Sequence, residues 1–174
     1  DYLCPYSWRL AEILALAGFD FFVLDNEHVM FNRETMLHIL RAAEASGISP
    51  VLRVRKNADV ELLQVLDAGA PCVLVPQVNS AAEARACASY VKYAPEGNRG
   101  FAPTHRAAAY GTLDPAEYAA QANAYTFLGC YCETRQAVEE IGAIARVPGI
   151  DLIFLGPMDL SQSYGVTGKP KSPA

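Results

Sequence analysis

Short apolar runs alternate with helical patterns from one end of this chain to the other, and that alternation limits the folds open to it more than any other feature. Runs at 20–25, 50–54, 72–76, 126–132 and 151–155 have strand length. Helical spacing of apolar residues marks 7–17, 33–45, 57–66, 80–93 and 135–146, with a further helix start at Asp114-Pro-Ala-Glu117. Asn32, Ser80, Asp114 and Thr134 are the expected N-caps, with Asn57 leading into the 57–66 helix, and Gly18, Gly47 and Gly69 are the expected stops. Ser80-Ala-Ala-Glu83 has the form of a capping box, in which Ser and Glu satisfy each other's backbone amides. Repeated βα units with nearly continuous apolar strands predict a parallel sheet covered by helices. A TIM-like barrel and an open doubly wound sheet both satisfy this pattern. No Gly-x-Gly-x-x-Gly and no P-loop follows the first strand, which removes the best support for a nucleotide-binding version.

The 174 residues are 52% hydrophobic and read as one domain over 1–174. The longest apolar runs fall well short of the roughly 20 residues of a membrane span, and the start lacks a basic region followed by an apolar segment. These features predict a cytoplasmic protein without a membrane partner. A net charge of -5 and three scattered histidines argue against nucleic acid as a partner. The five cysteines, at 4, 72, 87, 130 and 132, form no disulfide or zinc framework and read as small apolar side chains.

Polar residues at strand ends carry the candidate chemistry. Glu133 and Asp159 each follow an apolar strand, and carboxyl ends of parallel strands converge on one face, so the two can share a hard divalent ion. An acidic residue after a strand also commonly caps the next helix. Thr134 is better placed for that task after Glu133, whereas Asp159 can cap the short segment behind it. Strand alternation puts Tyr131 on the same side as Glu133, and Cys130 with Cys132 on the other. Asp25-Asn-Glu-His28 ends the first strand with Asp25 and Glu27 on one face, and His28 just beyond is a candidate proton shuttle. Arg53 lies inside an apolar strand and requires an anionic partner, whether carboxylates of the chain or a substrate oxyanion. Asp67 sits at a helix C-terminus, where the dipole disfavours it, so it too should have a specific partner. Arg55, His38 and His105 read as solvated.

Taken in order, Asp25-x-Glu-His28, Arg53, Leu66-Asp-Ala-Gly69, Val75-Pro76, Asn98-Arg-Gly100, Glu133-Thr134 and Gly156-Pro-Met-Asp-Leu-Ser161 resemble the HpcH/HpaI family of class II, metal-dependent pyruvate aldolases. The resemblance implies a (β/α)8 barrel, of which this chain contains about five βα units, strands two to six, making 1–174 an incomplete barrel domain. It implies Mg²⁺, Mn²⁺ or Co²⁺ on Glu133 and Asp159, and cleavage of 4-hydroxy-2-oxo acids to pyruvate and an aldehyde. Arg53 is then the enolate-stabilising residue, and His28, oriented by Asp67, helps move the proton. Tyr131 and the backbone around Gly156 and Met158 contact the oxo acid, and the protein is a homo-oligomer. Two alternatives share the pattern: a citrate lyase β-like enzyme acting on CoA thioesters, and a non-catalytic oxo-acid binding protein. Two departures stand out. Tyr131 occupies a position that is usually Gln, and the residues after Arg53, Val-Arg-Lys-Asn57, lack the Pro and Trp usual in such aldolases.

Overall fold

A computed structural model describes residues 8–171. Cys4 and Ser7, the expected start of the first helix, lie outside the described residues. Five strands, β1 (Phe21–Asp25), β2 (Ser49–Arg53), β3 (Cys72–Val75), β4 (Phe127–Cys132) and β5 (Leu152–Leu155), form one sheet. Every neighbouring pair is parallel and the spatial order equals the chain order. The helices are α1 (Trp8–Leu16), α2 (Arg33–Ser46), α3 (Asp59–Asp67), α4 (Ala81–Val91), α5 (Pro115–Tyr125), α6 (Arg135–Ile144) and α7 (Pro157–Ser163). A doubly wound sheet reverses its strand order and carries helices on both faces. Here the sheet grows in one direction, and right-handed crossovers of one sense keep the helices on one face. The result is a curled, half-barrel α/β sheet.

Burial follows strand parity. Leu24, Leu52, Val54, Val73, Val75, Leu128 and Cys130 point to the helices and join Ile39, Leu40, Leu62, Leu66, Cys87 and Ile144 in the main core. The alternate residues Phe21, Val23, Phe127, Leu152 and Phe154 line the other face and are partly exposed. Gly129 lies on that face, where a Cβ would stand 2.2 Å from Leu74 Cδ2, so only glycine lets Leu74 cover β4.

The expected caps form. Asn32 accepts from Thr35 N at 2.7 Å, Asp114 from Ala116 N at 3.0 Å and Glu117 N at 2.9 Å, and Thr134 from Ala137 N at 3.1 Å. Two details differ. Ser80 Oγ accepts from Glu83 N at 3.2 Å, but Glu83 Oε2 accepts from Asn79 N at 2.7 Å, one residue further back than a capping box requires. Asn57 does not cap α3, which opens after Ala58 with no side-chain cap; its amide instead donates to Glu83 O at 3.3 Å, tying the β2–α3 loop to α4.

Leu128 is fully buried beneath the helices. Leu128→Ala should therefore lower unfolding free energy by about 2–5 kcal/mol, read as a reduced denaturant midpoint at unchanged m-value.

Candidate active site

Parallel register sets Asp25 at the end of β1 directly beside Arg53 at the end of β2. On this helix-free face Arg53 Nε donates to Asp25 Oδ1 at 2.9 Å and Nη2 to Oδ2 at 2.5 Å, a bidentate pair. The amides of Glu27 and His28 also donate to Asp25 Oδ1, at 2.9 and 3.3 Å. Burial works to raise the Asp25 pKa, but the Arg53 hydrogen bonds and these two amides outweigh it and hold it below the ordinary value. Arg53 Nη1 lies 3.2 Å from Glu27 Oε2, an ion-pair distance without hydrogen-bond geometry, because the directional donors face Asp25. The opposite side of the guanidinium rests on Tyr131, 5.1 Å from the ring centroid, and Tyr131 packs on Phe154 at 4.6 Å. Arg53 thus neutralises the chain's own carboxylates, with part of its fork unclaimed.

Glu133 follows β4 and is 2% exposed. With Thr134 capping α6, its side chain turns to the sheet face, where Oε1 accepts from Gln77 N at 2.8 Å. Sequence reasoning missed Gln77. Its φ of 52°, in the left-handed region, aims that amide, and a non-glycine residue there with no turn signature leaves little trace in sequence. Gly156 closes against the same carboxylate, where a Cβ would stand 2.6 Å from Glu133 Oε2. Burial, followed by the charges of Glu27 and Asp159, raises the Glu133 pKa against the Gln77 hydrogen bond. Burial likewise raises that of Glu27, whose Oε2 is buried without a hydrogen bond. Three carboxylates within electrostatic reach, one lacking a donor, with Arg53 the cation already engaged, form a hard-oxygen environment that fits a divalent ion. Among the described residues no three His, Cys, Asp or Glu side chains form a ready ligand set.

Asp159 lies in the first turn of α7, so the short helix expected behind it exists, with Gly156 rather than Asp159 as its N-cap. The Gly156 amide donates to Cys132 O at 3.2 Å, which removes it as a substrate donor. Pro157 has no N–H, and the next two helical amides, of Met158 and Asp159, have no i−4 carbonyl to bond.

The expected His28–Asp67 pair does not form within this chain. His28 is 61% exposed at the carboxyl end of β1, with Nε2 3.7 Å from Glu27 Oε2. Asp67 ends α3, which runs antiparallel to the strands, and so lies by their amino ends. It does have a specific partner: Arg99 Nη2 at 2.7 Å, with His105 Nε2 3.3 Å from the same oxygen. His105 is correspondingly not solvated. Its side chain is 14% exposed, and burial, aided by Arg99, lowers its pKa against Asp67. Arg55 is solvated and paired with Glu61, and His38 is half exposed beside Glu34. Cys72, Cys87, Cys130 and Cys132 are buried free thiols.

Charged side chains gather at the carboxyl ends of this parallel α/β sheet, the end at which parallel α/β folds place their functional sites. The HpcH/HpaI aldolase/citrate lyase family model matches residues 2–174, and the chain belongs to that family. It is 44% identical over 172 residues to 2-dehydro-3,6-dideoxy-6-sulfogluconate aldolase of Pseudomonas putida, covering 99% of this chain and 67% of the relative. It is 40% identical to hydroxypyruvate/pyruvate aldolase of Sagittula stellata, covering 96% and 65%. A crystal structure of an HpcH/HpaI aldolase/citrate lyase family protein from Burkholderia cenocepacia superposes with a TM-score of 0.89 at 32% identity, over 95% of this chain and 66% of that one. The chain thus spans about two thirds of the length of these relatives. No helix among the described residues is long and apolar enough to cross a membrane.

The Asp25–Arg53 pair has a defined pH signature. Because the folded pKa of Asp25 lies below its ordinary 3.8, its stabilisation is fully present above that value and is lost as pH falls through the folded pKa. Asp25→Asn should cost about 1.5–3 kcal/mol at pH 7. In denaturant titrations across pH, the gap to the unsubstituted protein should close below pH 3.8.

Proposed function

We propose that this chain is part of a metal-dependent aldolase on a (β/α)8 barrel that cleaves 4-hydroxy-2-oxo acids to pyruvate and an aldehyde. The observation that carries the reading is the buried Glu133 carboxylate, within electrostatic reach of Glu27 and Asp159, on the sheet face where Asp25 locks Arg53. The aldolase names of the two relatives support it over a CoA-thioester lyase. Glu133 and Asp159 would hold Mg²⁺, Mn²⁺ or Co²⁺, which when bound supplies Lewis-acid stabilisation of the oxygen that gains charge.

The remaining work falls to the chain's own groups. Cleavage breaks the C3–C4 bond of the oxo acid. The 4-hydroxyl proton leaves to a base, its oxygen becomes the aldehyde carbonyl, and the C3–C4 electron pair moves into a pyruvate enolate that then takes a proton at C3. Arg53 donates its unclaimed N–H groups to the enolate oxygen, and its fork arrives already oriented by Asp25 and Tyr131. The Met158 and Asp159 amides, at the positive end of α7, donate to the substrate carboxylate. Tyr131 and Phe154 wall the site against water. His28, with Glu27 3.7 Å away, receives the hydroxyl proton at the open rim.

Exchange of the pyruvate methyl protons in D₂O tests the enolate directly, without a choice of aldehyde. Exchange should require Mg²⁺, Mn²⁺ or Co²⁺ and cease on chelation, and Arg53→Lys should slow it by about 10²–10³-fold. Full exchange in the Arg53→Lys variant, or exchange indifferent to chelation, would sink the assignment.

A further inference from the structure

We propose that Asn79 is a positioning residue for the reaction: its side chain clamps the β3–α4 turn in the conformation that presents the Gln77 amide to Glu133, and so sets the direction of that carboxylate toward the metal. This deepens the aldolase reading and rests on Glu133 as a metal ligand. The turn at 77–79, where the chain leaves β3, is tied to the end of β4. The Gln77 amide donates to Glu133 Oε1 at 2.8 Å, and the Val78 amide to Tyr131 O at 3.3 Å. The Thr134 hydroxyl donates to Asn79 Oδ1. Asn79 Nδ2 closes the ring by donating to Gln77 O at 2.8 Å.

The polarity of this ring leaves no choice of direction. Gln77 O can only accept, which fixes the Asn79 amide with Nδ2 toward it and Oδ1 toward Thr134. The Thr134 hydroxyl already accepts from Ala137 N at 3.1 Å, so its one proton goes to Asn79 Oδ1. A carboxylate at position 79 would supply no donor, and an apolar side chain neither group. Gln77 has a φ of 52°, a left-handed conformation that a residue with a side chain holds only where its surroundings fix it. Its backbone is gripped on both sides of Cα, the N–H by Glu133 and the C=O by Asn79. Without the Asn79 amide the carbonyl is released, Gln77 relaxes toward negative φ, and its N–H turns away from Oε1. Gly156 confines the other oxygen, since a Cβ there would stand 2.6 Å from Glu133 Oε2. Oε1 is thus the oxygen whose direction the Gln77 amide decides, and Asn79 acts through Gln77 rather than at the reacting atoms.

Calorimetric titration of Mn²⁺ into the full-length protein reads this clamp without turnover. Asn79→Ala should raise the Mn²⁺ Kd by about tenfold, the scale of losing a partner that orients a metal ligand. Gln77→Gly in the Asn79→Ala background should recover most of that loss, because glycine adopts positive φ without strain. Ser80→Ala removes the α4 cap beside Asn79 but neither arm of the ring, and should leave the Kd unchanged. An unchanged Kd in Asn79→Ala, an equal rise in Ser80→Ala, or no recovery with Gln77→Gly overturns the positioning role, while Mn²⁺ binding by the unsubstituted protein leaves the aldolase reading standing. Absence of Mn²⁺ binding by the unsubstituted protein overturns both.

Discussion

The bidentate pair between Asp25 and Arg53 is the interaction on which the rest of this sheet face depends. Parallel register places a carboxylate and a guanidinium side by side at two adjacent strand ends. The Arg53 charge then offsets Glu27 as well, and its flat face covers Tyr131. Removing either partner leaves a half-buried charge without compensation, on a face that already gathers carboxylates. Because Asp25 takes the directional donors, Glu27 Oε2 is buried without a hydrogen bond, and burial raises the pKa of both Glu27 and Glu133.

Stability and chemistry occupy opposite faces of the same strands. Alternate residues of β1 to β5 enter the helix-covered core, where Leu52, Val73 and Leu128 lose all contact with water. Their neighbours carry Asp25, Arg53, Tyr131 and, just past β4, Glu133. Period-two alternation lets the polar set change without disturbing the packed set. The site also draws on backbone held away from its ordinary preference: the left-handed φ of Gln77 and the close approach of Gly156 to Glu133 both serve to fix one buried carboxylate.

Much of this was legible in the chain. Apolar strand runs, the caps at Asn32, Asp114 and Thr134 and the stops at Gly47 and Gly69 are local signals, decided by residues within a few positions of one another. The need of Arg53 and Asp67 for anionic and cationic partners was equally readable, since an ionised group in an apolar strand or at the negative end of a helix is costly alone. The Tyr131 and Glu133 face followed from alternation.

Partner identity was not readable, because it depends on which elements become neighbours. Asp67 met Arg99 and His105 rather than His28 because α3 returns its C-terminus to the amino ends of the strands, the opposite end of the sheet from His28. The doubly wound alternative, compatible with the same alternation, was settled by every crossover stepping to the next strand in one direction. Gln77 and the committed amide of Gly156 depend on single φ values and on a carbonyl one strand away. Composition and spacing determined which residues are strands, caps and stranded charges, since those preferences act over a few bonds. Tertiary structure alone decided which charges face one another, since Coulomb and hydrogen-bond energies act through space and not along the chain.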